Sequence, residues 1–211
     1  WREFITDASS NVVIGGGGGT PTQFDAALNS SNYNIVRITK ISNPCIRASL
    51  EAILHNGNLQ NAMSNMLIKF NLDPRVQIDF VESYSLPNNI YGKTILYSDN
   101  TIAINLNINV LKNASKEIIF TTIYHEVLHA HLSLKKNYDQ HNEIILVYRD
   151  IMSNSLNQQF PGIKYLEDLA LMGLENTDYF INKLSFEQKS IYYNRRQSYL
   201  NGTNGNYCKQ N

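Results

Sequence analysis

Apolar residues recur at every second position from Thr101 to Ile108 (T-I-A-I-N-L-N-I). This puts Ile102, Ile104, Leu106 and Ile108 on one face of a strand and small or polar residues on the other. Val76 to Val81 and Lys93 to Tyr97 read as further strands, divided by turn chemistry at Leu86-Pro87-Asn88-Asn89 and Ser98-Asp99-Asn100. Asn34 to Lys40 alternates as a short strand or extended arm. Elsewhere the period lengthens to that of a helix. Asn43-Pro44 opens one through Ile46, Leu50, Ile53 and Leu54, which Gly57 stops, and Leu59 to Phe70 forms a second through Met63, Met66, Leu67 and Phe70. A third runs from His141 or Asn142 to Gln159, buried through Ile144, Ile145, Tyr148, Ile151, Met152 and Leu156, until Pro161-Gly162 ends it. Tyr165 to Leu174 and Phe186 to Leu200 add two helical segments. Residues 1–34, with the run Gly15–Gly19, read as a flexible linker, and the Gly/Asn-rich stretch 201–211 as a tail that frays. The pattern predicts an α+β fold over residues 35–211, with a small mixed or antiparallel sheet and a helical C-terminal half.

The most informative helix runs from Asn113 to Leu134. Ser115 is placed as its N-cap, Glu117 suits the positive end of the helix dipole, and Ile118, Ile119, Thr122, Ile123 and Val127 form a broad apolar face. Inside it stands His125-Glu126-Val127-Leu128-His129, the pattern H-E-x-x-H. Two histidines four residues apart project from one helix face, where a single Zn²⁺ can take both at about 2.0–2.1 Å. Glu126 lies about 100° round the helix, placed to accept a proton from a water without being a ligand. A tetrahedral catalytic zinc needs a third protein ligand and one open position. His141, twelve residues after His129 at the start of the next helix, is the favoured third ligand, with Glu143, Asp150 and Glu167 as carboxylate alternatives. His131 is about 200° from His129 and reads as a supporting or surface residue on the opposite face. The position that would carry the third histidine of a metzincin is Lys135, which excludes that subfamily.

Charge narrows the partners. Eighteen Lys and Arg balance eighteen Asp and Glu, so no basic field exists to track a phosphate backbone. No apolar run approaches the ~20 residues of a membrane span. The chain begins at Trp1 without a signal segment, which reads as a mature or excised piece of a larger polypeptide. Cys45 and Cys208 can form one long-range disulfide in an exported protein, but nothing in the sequence fixes that pairing, and Cys45 alone reads as a small buried hydrophobe.

The run H-E-V-L-H-A-H-L, followed by Asp139-Gln140-His141, resembles the SprT-like zincins, whose motif continues through a short gap to a third histidine. The wider stretch from Asn43-Pro44-Cys45 to Glu175-Asn176-Thr177 resembles metallopeptidase domains at the C-termini of larger Bacteroidetes proteins. The resemblance implies a zincin-like fold, a Zn²⁺ cofactor held by His125, His129 and His141, Glu126 as general base and a polypeptide substrate. It also implies that the strand before the motif helix, Thr101 to Ile108, is an edge strand lining the cleft. The chain lacks the zinc ribbon and basic surplus of the DNA-repair members, so their crosslinked DNA substrate does not carry over. Tyr148, two turns along the next helix from His141, is a candidate oxyanion partner, with a core tyrosine as the plainer reading. A zincin-fold binding module without catalysis is the rival from another class. Peptidoglycan stem peptides, as for a toxin or effector, are the alternative substrate.

Overall fold

In the computed structural model of the protein, which describes residues 36–55, 62–73, 75–136 and 139–208, the alternating stretches become four strands. These are β1 (Val36–Lys40), β2 (Gln77–Ser83), β3 (Gly92–Leu96) and β4 (Thr101–Asn107). They form one mixed sheet in the order β1-β2-β4-β3, in which β1, β2 and β4 are parallel and β3 is antiparallel to β4. Arg37 and Asp79 are register partners on β1 and β2, and the guanidinium holds the carboxylate at 2.5 and 2.7 Å. The linker expected over residues 1–34 and the helix stop at Gly57 lie outside the described residues.

One expectation is overturned here. The strand that precedes the motif helix is not the sheet edge: β4 pairs with β2 on one side and with β3 on the other. Ile102, Ile104 and Leu106 are all fully buried on the face that the motif helix covers, which suits an interior strand. The edge goes instead to β3, whose Gly92, Lys93 and Thr94 leave it half-buried at most. A turn at Tyr97–Asn100 joins the two, with Asn100 in the left-handed region (φ +63°) and the Asp99 carboxylate accepting from the Thr101 amide.

The helices are α1 (Pro44–His55), α2 (Ala62–Leu72), the single turn α3 (Ile108–Leu111), α4 (Lys116–Leu134), α5 (Gln140–Glu143), α6 (Arg149–Gln159), the single turn α7 (Leu166–Leu169) and α8 (Phe186–Leu200). A π-helical turn, Ile144–Tyr148, joins α5 to α6, and another spans Tyr179–Lys183. The fold is therefore α+β and mostly helical, with every helix after β4 in the C-terminal half. The helix expected over Tyr165–Leu174 shrinks to one turn, because Tyr165 (φ +66°) and Gly173 (φ +84°) both take left-handed backbone that a helix cannot continue through. Ser185 and Gln188 form a reciprocal capping box that starts α8 where its periodicity begins.

α4 is the axis of the molecule. β3 and β4 pack on one side of it, and α1, α2, α6 and α7 on others. From Glu117 to Leu128 every residue is buried, so the apolar face read from the sequence extends all round the helix. Ser115 caps it, its hydroxyl accepting from the Ile118 amide. The C-terminal stretch is tied down as far as Cys208, and residues 209–211 lie outside the described residues. Asn206 donates through its amide and its Nδ2 to the buried Glu117 carboxylate at 2.7–3.1 Å, and accepts from the Lys116 amide at 2.7 Å. Two residues on, Cys208 is disulfide-bonded to Cys45 in the first turn of α1, so the tail is strapped across the start of α4.

Candidate metal centre

Residues four apart on α4 bring His125 and His129 together, and the start of α5 brings in His141 from across the chain reversal. The Nε2 atom of His129 lies 3.0 Å from that of His125 and 3.1 Å from that of His141. All three donor atoms fall within 4.8 Å of one another. A metal at 2.0–2.1 Å from three tetrahedral nitrogens would hold them about 3.3 Å apart, close to the two separations that His129 makes. His129 Nδ1 lies 2.6 Å from Gln140 Oε1, while Gln140 Nε2 donates to Ser133 Oγ at 3.0 Å. That network makes Nδ1 the protonated nitrogen and leaves the Nε2 lone pair directed at the cluster. Gln140 stands in the motif beside His141, but nothing in the sequence marks it as the partner of His129.

The loop before Glu175 closes over the other flank. A Cβ on Gly173 would stand 3.0 Å from His125 Cε1, and its φ of +84° already favours glycine. Burial lowers the His141 imidazole, opposed in part by the nearby Glu175 carboxylate, which accepts from the Tyr192 hydroxyl (2.5 Å) and Arg196 Nη1 (3.2 Å).

Glu126 points from α4 toward the edge strand. The Thr94 hydroxyl lies 2.7 Å from its Oε2 and 3.0 Å from its main-chain oxygen. At Gly92 the strand passes so close that a Cβ would meet Glu126 Cγ at 2.7 Å and Oε1 at 2.9 Å. Burial pushes the Glu126 carboxyl up to about 7, against the opposing hydrogen bond from Thr94.

Other candidates stand apart from the cluster. Among the described residues, the group able to hold a metal contains none of Glu143, Asp150 and Glu167. Asp150 is exposed and pairs with Arg149 at 3.0 Å. His131 is not at the surface: it is buried on the opposite side of α4, its ring 6.2 Å from Phe70 and 6.3 Å from Tyr148. Tyr148 is fully buried beside it, its phenol packed into the core next to His131. The π turn that ends at Tyr148 buries Ile144, Ile145 and Tyr148 while Leu146 and Val147 stay exposed.

Burial keeps the histidines neutral. It lowers His125 well below the usual range, with help from the neighbouring imidazoles, and brings His129 and His131 to about 4. Neutral imidazoles are the form that binds metal. In the metal-free protein this predicts acid sensitivity. Below about pH 6.5 the unfolded chain takes up protons on these three histidines and the folded chain does not, so stability falls with pH. Glu126 runs the other way, because it is protonated in the fold from about 7 downward and in the unfolded chain only near 4.5. Three protons against one leave a net loss of up to about 3 kcal/mol per pH unit between roughly pH 6 and 5, at ~1.4 kcal/mol per proton. Denaturant midpoints of metal-stripped protein at pH 7, 6 and 5 check this; a flat profile contradicts it.

No known family, curated protein or solved structure matches this chain. Its function has to be argued from the site itself.

Proposed function

We propose that this protein is a zinc-dependent metallopeptidase of zincin-like fold, with His125, His129 and His141 as metal ligands and Glu126 as general base. The observation that carries the reading is the convergence of three neutral imidazole nitrogens beside a buried carboxylate, on a helix packed beneath an antiparallel edge strand. Three nitrogen donors with a fourth position open suit tetrahedral zinc better than the oxygen-rich shells of calcium or magnesium. Bound zinc would supply a Lewis acid that polarises a peptide carbonyl and lowers the pKa of a water to near 7.

The remaining work falls to the chain. Gln140 holds the His129 tautomer, so that its Nε2 presents a lone pair. Glu126 takes the proton of the attacking water and returns it to the departing amine, a task suited to a carboxyl with a pKa close to 7. The outer edge of β3 offers backbone groups along which an extended polypeptide can add as a strand, at the height of Glu126. Among the described residues no helix is long and apolar enough to cross a membrane. The disulfide fits an oxidising compartment, and export is part of the proposal.

Purified protein should carry about one zinc per chain and digest a peptide library. His141→Ala should weaken zinc by at least the ~10–100-fold that loss of even a supporting contact costs. Full zinc retention by His141→Ala, with loss in Glu143→Ala, would remove His141 from the ligand set. Zinc-loaded wild type that cleaves no protein, peptide library or peptidoglycan would turn the reading to a binding module.

A further inference from the structure

We infer that Thr94 is a positioning residue for the general base, its hydroxyl holding the Glu126 carboxylate in one orientation; this rests on the metallopeptidase reading. The Thr94 hydroxyl has one proton and two acceptors in reach, Glu126 Oε2 at 2.7 Å and the Glu126 main-chain oxygen at 3.0 Å. The shorter contact is to the group that carries charge when ionised, and charge-assisted bonds are the stronger ones. Oε2 is therefore held on the Thr94 hydroxyl. From the other side, the strand backbone at Gly92 walls the carboxylate in, since a Cβ there would stand 2.7 Å from Cγ and 2.9 Å from Oε1. Two positions of one strand, 92 and 94, thus confine the same side chain, and both share the strand face turned to α4.

The need for such a clamp follows from burial. Glu126 is 5% exposed and forms no salt bridge among the described residues, so its carboxylate relies on Thr94, through the hydroxyl at 2.7 Å and the backbone amide beside it. A long side chain free to rotate in that space would spend part of its time turned away from the water, and misplacement on the ångström scale is costly in rate. β3 is itself held in place through pairing of Thr94 with Ile104 on β4. The base is thereby tied to the rigid sheet as well as to its own helix.

The test uses zinc-loaded wild type, Thr94→Val, Thr94→Ala and Thr94→Ser, with zinc content and melting temperature measured for each. Val keeps the shape and removes the hydroxyl, so kcat should fall roughly 10–100-fold, the worth of one hydrogen bond to a charged group, with KM and zinc content unchanged. Ala should lose kcat likewise, which guards against a fold defect peculiar to Val, and Ser should restore most of the rate. A purely structural role for Thr94 would lower melting temperature without this hydroxyl-dependent split. Crystal structures of the zinc-loaded wild type and Val variant give a readout independent of turnover: Oε2 should sit on Thr94 in the first and be displaced in the second. Wild-type kcat in Val and Ala, or a zinc-loaded wild type with Glu126 turned away from Thr94, overturns the inference while leaving the peptidase reading intact. A zinc-loaded wild type that cleaves nothing overturns both, and the wild-type rate alone distinguishes that case.

Discussion

Glu126→Gln is expected to keep the fold and about one zinc per chain, and to cleave peptide ~10²–10⁴-fold more slowly, the usual worth of a positioned general base. Glutamine matches the volume of the native side chain, so it still fits the space that Gly92 leaves and can still accept from Thr94. What it cannot do is take a proton from water. Because burial disfavours the Glu126 carboxylate, the neutral amide should also stand as well as or better than wild type toward denaturant above pH 7. His129→Ala should behave differently: it removes the imidazole whose Nε2 lies between the other two, so metal and activity disappear together. Zinc analysis, peptide cleavage and urea melts on the two variants separate the roles. Glu126→Gln cleaving at the wild-type rate would require the water-activation role to be abandoned.

Opening the Cys45–Cys208 disulfide should cost about 2–5 kcal/mol of stability, the range for native disulfides of this kind. The bridge spans a sequence separation of 163, and closing so long a loop in the unfolded chain lies at the upper end of the chain-entropy scale. A second effect adds to it. The bridge holds the strap whose Asn206 donates to the buried Glu117 carboxylate, and a released strap would leave that charge without those donors at the first turn of α4. Urea unfolding of oxidised protein, reduced protein and the Cys45→Ser/Cys208→Ser double variant measures the sum. Asn206→Ala with the disulfide intact removes the Nδ2 bond and keeps the backbone amide donor, a loss expected at about 1–3 kcal/mol. Equal midpoints for oxidised and reduced protein would show that the strap contributes nothing to stability.

What local chemistry dictates was legible along the chain. The start of α4 at Ser115, the placing of His125 and His129 on one face and the span Phe186–Leu200 all depend on residues within a turn or two of each other. The alternation that buries Ile102, Ile104 and Leu106 is equally local. His141 could be favoured over Glu143, Asp150 and Glu167 on spacing, yet its arrival 3.1 Å from His129 depends on how the chain reverses after α4. Sheet order was not legible, because which strand takes the edge depends on the apolar area each must cover, and β4 had more than β3. That choice put β3 at the sheet edge and brought Gly92 and Thr94 to Glu126, partners 32 and more residues away that no local pattern marks. Tyr148 lies two α-helical turns from His141 on paper, but the π turn between them changes the phase of the helix, and Tyr148 packs beside His131. Cys45 and Cys208 illustrate the same division: the sequence by itself determined that two thiols exist, and only the docking of the tail on α1 and α4 decided that they meet.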